Sequence, residues 1–184
     1  MRIVAGAFRG RRLHSPRSDK IRPTTDRVRE AVFSIIAAYL PEAGVLDLFA
    51  GTGALGLEAL SRGACRAVFV DQSPEAIRLI RANVALCGVQ EKVKVLHGSI
   101  DQVIRRLAGE GELFDVIFLD PPYGKGYVEK TLGRLGEIAR CGALVIAEHS
   151  VKDDLPRHWA GWVRTGERRY GDTMISFYER ELPC

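Results

Sequence analysis

At 184 residues, 46% hydrophobic and 27% charged, the sequence has the length of one domain and the composition of a globular one, which excludes a coiled coil, a collagen-like chain and a largely disordered chain. No apolar run reaches the roughly 20 residues that span a bilayer, and the first nine residues hold no stretch of signal-peptide length, so a cytoplasmic protein without membrane contact is expected. The formal net charge of +4 is unevenly spread: residues 1–29 hold nine basic residues against two acids, and the rest of the chain holds 18 against 21.

Eight of those nine basic residues are arginine, whose planar fork suits bidentate phosphate contacts. They are interleaved with Ile3, Val4, Gly6, Phe8, Gly10 and Leu13, which reads as an ordered arm or hairpin over residues 1–23 that contacts nucleic acid, rather than a solvated tail. Pro23-Thr24-Thr25-Asp26 then signals a helix start. Val28, Val32, Ile35, Ile36 and Tyr39 follow at helical spacing until Pro41.

Five short apolar runs come next: Val45–Phe49, Ala67–Val70, Val93–Leu96, Val116–Leu119 and Ala143–Ala147. They lack polar alternation, as parallel strands covered on both faces do. Helical segments separate them; the clearest has Ser73 as N-cap and Pro74 at its first position, buries Ile77, Ile80, Val84 and Cys87 on one face, and stops at Gly88. Alternating strands and helices predict a doubly wound α/β sheet over residues 24–184, in one domain with the arm. Trp162–Tyr170, the turn Gly171-Asp172 and Met174–Tyr178 predict a terminal antiparallel hairpin. Cys65, Cys87, Cys141 and Cys184 show no C-x-x-C pair, so reduced thiols and no metal site are expected.

Two strand ends carry chemistry. The first strand runs into Asp47-Leu48-Phe49-Ala50-Gly51-Thr52-Gly53-Ala54-Leu55-Gly56, where Gly51, Gly53 and Gly56 satisfy G-x-G-x-x-G; Asp71 lies 20 residues beyond Gly51, the spacing at which an acid meets a ribose hydroxyl. An adenosine-containing cofactor follows from this pattern, either a dinucleotide or S-adenosylmethionine. Asp47 favours the second, because a carboxylate just before the loop repels a pyrophosphate and suits a cationic amino-acid moiety. The fourth strand ends in Asp120-Pro121-Pro122-Tyr123, which should face the Gly51 loop across the sheet's crevice. Two prolines remove two donors and leave carbonyls as acceptors. If Asp120 and the Pro121 carbonyl accept both hydrogens of an exocyclic amine, the nitrogen lone pair turns toward an electrophile held about 3 Å away, and Tyr123 stacks on the base.

The stretch from Asp47 to Ala64, taken with Asp120-Pro121-Pro122-Tyr123, resembles class I S-adenosylmethionine-dependent methyltransferases. Arg9-Gly10-Arg11-Arg12-Leu13, the segment Arg22 to Phe33, and Arg169-Tyr170-Gly171-Asp172-Thr173 narrow the resemblance to the RsmD family, which methylates the N2 amine of one guanine in bacterial 16S ribosomal RNA. It implies a seven-stranded Rossmann-like sheet of order 3-2-1-4-5-7-6, strand seven antiparallel. By the same resemblance Asp47, Phe49, Ala50, Gly51, Thr52 and Gly53 hold the methionine portion of the cofactor, and Asp71 with Gln72 its ribose. Ser99 and Ile100 stand near the adenine, although Ser99 departs from the acid common in class I enzymes. Asp120, Pro121, Pro122 and Tyr123 are the implied catalytic group, and Arg9, Arg11, Arg12, Arg22, Thr24, Arg27, Tyr123 and Lys125 the implied RNA contacts. The substrate would be ribosomal RNA in an assembling or assembled small subunit, and the enzyme a monomer. A DNA adenine-N6 methyltransferase and a non-catalytic RNA-binding assembly factor remain alternatives. His14, His97, His149 and His158 are scattered, and Glu148-His149, at the ligand-binding edge, receives no role.

Overall fold

The computed structural model describes residues 1–16 and 26–181. The chain forms helices α1 (Asp26–Ile35), α2 (Ala54–Ser61), α3 (Pro74–Cys87), α4 (Ile100–Gly109) and α5 (Tyr127–Leu135). Its strands are β1 (Gly44–Leu48), β2 (Arg66–Asp71), β3 (Val93–His97), β4 (Phe114–Leu119), β5 (Ala139–Ser150), β6 (His158–Trp159), β7 (Trp162–Tyr170) and β8 (Thr173–Arg180). They build one sheet of order β3-β2-β1-β4-β5-β8-β7-β6. Strands β1 to β5 are mutually parallel, and β8 runs antiparallel to both β5 and β7. The expected order is therefore found with one strand more: β6 is a two-residue ribbon on the edge of β7, too short to leave a sequence signal.

Side chains alternate across the sheet and create two cores. Val45, Phe69, Val116, Phe118 and Ile146 face α1, α2 and α3, while Leu46, Leu48, Val68, Ile117 and Val145 face α4 and α5. Each of these side chains is essentially buried, which contributes roughly 1.5–3 kcal/mol apiece. Phe33 of α1 sets its ring 5.5 Å from that of Phe118.

The capping chemistry of α3 is as the sequence predicts. The Ser73 hydroxyl accepts from the Ala76 amide at 3.4 Å, and Gly88 ends the helix at φ 69°. The first helix differs. It ends at Ile35, a separate 3-10 turn follows at Ala37–Tyr39, and Ile35 and Tyr39 are exposed while Phe33 and Ile36 are buried. The turn at Ile36 rotates the buried stripe away from a single helical period. The expected cap at residues 23–25 lies outside the described residues. Cys65 and Cys87 are free thiols, but Cys141 is disulfide-bonded, so the expectation of reduced thiols fails there: a pairing set by tertiary approach leaves no trace in spacing.

The arm is a docked hairpin. Ile3 donates to Arg11 and Gly10 to Ile3, each at 2.9 Å, and Ile3 and Leu13 are buried in the core of α1 to α3. Glu58 of α2 accepts from the Val4 amide at 2.7 Å and from Ala5 at 3.0 Å. Arg29 of α1, 1% exposed, donates to the Arg2 carbonyl and to Asp26, and lies 3.8 Å from Glu58, itself fully buried. Removing either partner strands a buried charge, a loss of about 3–5 kcal/mol. A Cβ at Gly6 would fall 1.8 Å from the Ser61 carbonyl oxygen, so only glycine allows the arm to seat this closely.

Candidate active site

Register brings the site together. Leu48 of β1 pairs with Val70 of β2 and Leu119 of β4, and Leu119 pairs with Ala147 of β5. The next residue of each strand is Phe49, Asp71, Asp120 and Glu148, so these four stand in a row along the carboxyl edge of the parallel sheet. By alternation Asp120 and Glu148 share the sheet face of Asp47. The edge opens into a cleft of about 800 Å³, within the usual range for a small-molecule site.

Its floor is the glycine loop. Phe49 adopts φ 62°, a left-handed conformation costing a bulky residue of order 1–3 kcal/mol, and its ring lies 5.8 Å from that of Tyr127. The chain then turns through Gly51 and Gly53, at φ 55° and 77°, into α2. At Gly56 a Cβ would lie 2.3 Å from the Phe69 ring, so the third glycine lets α2 pack against β2. Asp71 clamps the loop: one carboxylate oxygen accepts from the Gly51 amide at 2.9 Å and the other from Ser73 at 2.8 Å. Asn83 of α3, fully buried, donates to the Thr52 carbonyl at 2.9 Å.

Asp47 is buried and accepts from the Gly56 amide at 2.9 Å. Burial, reinforced by the charge of Asp71, pushes its carboxyl up to about 8. Asp120 is likewise held well above the ordinary carboxyl range, by burial first and then by the charges of Glu148 and Asp47. Carboxyl groups raised in this way mark a cavity that favours a cation and opposes a pyrophosphate. The donor set therefore fits S-adenosylmethionine, with its sulfonium and ammonium charges, and does not fit a dinucleotide.

Tyr123 stands at the mouth. Its hydroxyl donates to Glu148 Oε1 at 2.8 Å and lies 3.1 Å from the Thr173 hydroxyl, which opens β8. A phenol has one proton, so with that proton on Glu148 the Thr173 hydroxyl donates to the Tyr123 oxygen. Burial and Glu148 raise the Tyr123 phenol above its ordinary range. The ring remains 42% exposed, and is open to stacking. The neighbouring His149 points elsewhere: its Nδ1 donates to the Ser150 carbonyl, its Nε2 accepts from the Ser176 hydroxyl, and burial lowers its pKa.

Of the residues singled out in sequence, Asp47, Phe49, Ala50, Gly51, Thr52, Asp71, Gln72, Ile100, Asp120, Pro121, Pro122 and Tyr123 all line the cleft. Gly53 and Ser99 do not; they start α2 and α4 behind it. Lys125 lines a smaller hollow of about 270 Å³ that shares Tyr123 and Glu148 with the cleft. Arg9, Arg12 and Arg27 are exposed, whereas Arg11 donates to the Leu86 carbonyl at 2.7 Å and packs over the Phe8 ring, so part of its capacity is used by the fold. Arg22 and Thr24 lie outside the described residues. Sequence reasoning missed Met1, Arg29, Glu148 and the Tyr170–Thr173 turn as cleft walls. Glu148 alone had a signal, its place after a parallel strand.

Comparison with known proteins agrees with this geometry. The family model described as Conserved hypothetical protein 95 matches residues 1–179. Ribosomal RNA small subunit methyltransferase D of Escherichia coli (strain K12) is 36% identical over 183 residues, covering 98% of this chain and 90% of that one. The solved structure of a hypothetical protein from Thermus thermophilus superposes with a TM-score of 0.83 at 32% identity, covering 99% of both chains. The chain belongs to the RsmD family of methyltransferases.

Proposed function

We propose that the protein transfers a methyl group from S-adenosylmethionine to the exocyclic N2 amine of a guanine in bacterial small-subunit ribosomal RNA, acting in the cytoplasm as a monomer on an assembling or assembled subunit. The observation that carries this reading is the alignment of Asp120, the Pro121 carbonyl and Tyr123 on the same cleft as Asp47 and the Gly51 loop. The similarity to a small-subunit ribosomal RNA methyltransferase supplies the substrate class.

When bound, S-adenosylmethionine supplies an electrophilic methyl group. The chain's own residues do the rest. Asp47, buried against α2, holds an ionised carboxylate beside the cofactor's positive charge, and Asp71 presents its remaining lone pairs to ribose hydroxyls while keeping the loop closed. Asp120 and the Pro121 carbonyl accept the two amine hydrogens, so the nitrogen pyramidalises with its lone pair aimed across the cleft. Tyr123, pinned through its hydroxyl, stacks on a base splayed out of the RNA. The proton released from the amine passes to Asp120, whose raised pKa makes it a competent acceptor at neutral pH. Arg9, Arg12 and Arg27 grip phosphates outside the cleft.

The test is tritiated methyl transfer to small-subunit particles lacking the modification, with free RNA and duplex DNA in parallel, followed by nucleoside analysis. N2-methylguanosine in the particles is the expected product. N6-methyladenosine in DNA would assign the same cleft to the other amine chemistry, and RNA binding without transfer would leave an assembly factor.

A further inference from the structure

Glu148 ends the parallel part of β5 beside Asp120, lines the cleft, and accepts the Tyr123 hydroxyl on one oxygen, yet the amine chemistry above makes no use of it. On this rim three acceptors stand together: the Asp120 carboxylate, the Pro121 carbonyl and the Glu148 carboxylate. Purines differ in what they offer such a row. Guanine presents contiguous donors, N1–H and the two N2 hydrogens. Adenine presents the N6 amine beside N1, which is a lone pair.

We infer that Glu148 reads the purine: its carboxylate accepts the N1–H of the target guanine while Asp120 and the Pro121 carbonyl hold the N2 amine. This rests on the proposed amine methylation and names what selects the base. A carboxylate has two oxygens and about four acceptor positions, so holding Tyr123 leaves capacity for N1–H. The Thr173 to Tyr123 to Glu148 chain fixes the carboxylate as firmly as the ring, tying the stacking wall and the base reader into one unit. Adenine in the same pose would set its N1 lone pair against a carboxylate in a partly desolvated cleft. Glu148 is thus a specificity residue, and negative charge at N1–H also enriches N2 in electron density.

The experiment uses the full-length enzyme and small-subunit RNA, reconstituted into particles, in which the methylated guanine is replaced by 2,6-diaminopurine. That base keeps the N2 amine but has a lone pair at N1. Wild type is expected to methylate guanine at least ~100-fold faster than diaminopurine in single turnover, because a site built to bond an N–H rejects the analogue lacking it. Glu148→Gln still accepts the Tyr123 hydroxyl through its carbonyl and offers an N–H to N1, so the preference should shrink to within about tenfold, with diaminopurine methylated faster than by wild type. Equal wild-type rates on the two bases, or a Gln variant with the wild-type preference, would overturn the assignment. Should Glu148→Gln fail to fold, the wild-type comparison alone decides. A wild type that methylates neither base refutes the underlying methyltransferase reading, an outcome separate from loss of base preference.

Discussion

The Asn83 side-chain amide donates to the Thr52 carbonyl at 2.9 Å, and the same side chain accepts from the His14 amide at 2.7 Å and donates to the His14 carbonyl at 3.1 Å. One buried residue of α3 thus ties the basic arm to the glycine loop, and Met1, whose sulfur lies 3.4 Å from the Thr52 hydroxyl, extends the arm into the wall of the cleft. Cofactor site and RNA-facing arm are mechanically one body.

Asn83→Ala leaves the Thr52 carbonyl and both His14 backbone groups without these partners, and is expected to lower stability by about 2–3 kcal/mol. It should also weaken S-adenosylmethionine binding roughly tenfold, by titration calorimetry, and expose the arm arginines to trypsin. Wild-type affinity together with an arm as resistant as before would disprove the coupling.

Asp47 makes the protein pH-dependent in a defined direction. Its carboxyl sits at about 8, against an ordinary 3.8, so between those values the folded state keeps a proton that the unfolded chain has released. The stability it contributes is full below about pH 4 and is lost as pH rises toward 8. Asp47→Asn still accepts from Gly56 and removes the dependence; cofactor-free variant should melt at least about 2 °C above wild type at pH 8, with no such gain near pH 4. A cation favours the ionised form, so wild-type affinity for S-adenosylmethionine should rise from about pH 6.5 to about pH 8.5, while the variant binds more weakly and without that rise. A wild-type Kd flat across this range contradicts the role given to Asp47.

The arm arginines divide by what they touch. Arg11 is partly committed to Leu86 and Phe8, and Arg2 pairs with Asp26 at 3.0 Å, whereas Arg9 and Arg12 are exposed. Each phosphate contact on single-stranded RNA contributes about 0.7 to the slope of log affinity against log salt. Replacing Arg9 and Arg12 by alanine should therefore flatten that slope by about 1.4 without changing cofactor affinity. An unchanged slope would remove them from the RNA interface.

Much of this was legible in the sequence because it is local. The β1 to β4 runs, the Ser73 and Gly88 caps and the two loops at Gly51 and Asp120 each depend on neighbours within a few residues, and the structure shows them within a residue or two of the expected bounds. β5 begins four residues before its apolar run, since Arg140, Cys141 and Gly142 pair at a strand end that solvent covers. The cleft's other walls were not legible. Thr173 and Tyr170 reach it because β8 pairs antiparallel with β5, and Met1 because Ile3 and Leu13 bury themselves beside α1 and α2. Ser99, chosen by position after β3, caps α4 behind the cleft and leaves Ile100 as the wall, so apolar contact replaces the expected polar one at that edge.

The most direct measurement is single-turnover methyl transfer by Asp120→Ala at saturating S-adenosylmethionine, with cofactor affinity measured on the same preparation. Asp120 holds the amine and takes its proton, so the rate should fall by about 10³-fold or more while the Kd for the cofactor stays within about threefold of wild type. A variant that binds the cofactor normally and transfers methyl groups at near the wild-type rate would contradict the mechanism at its centre.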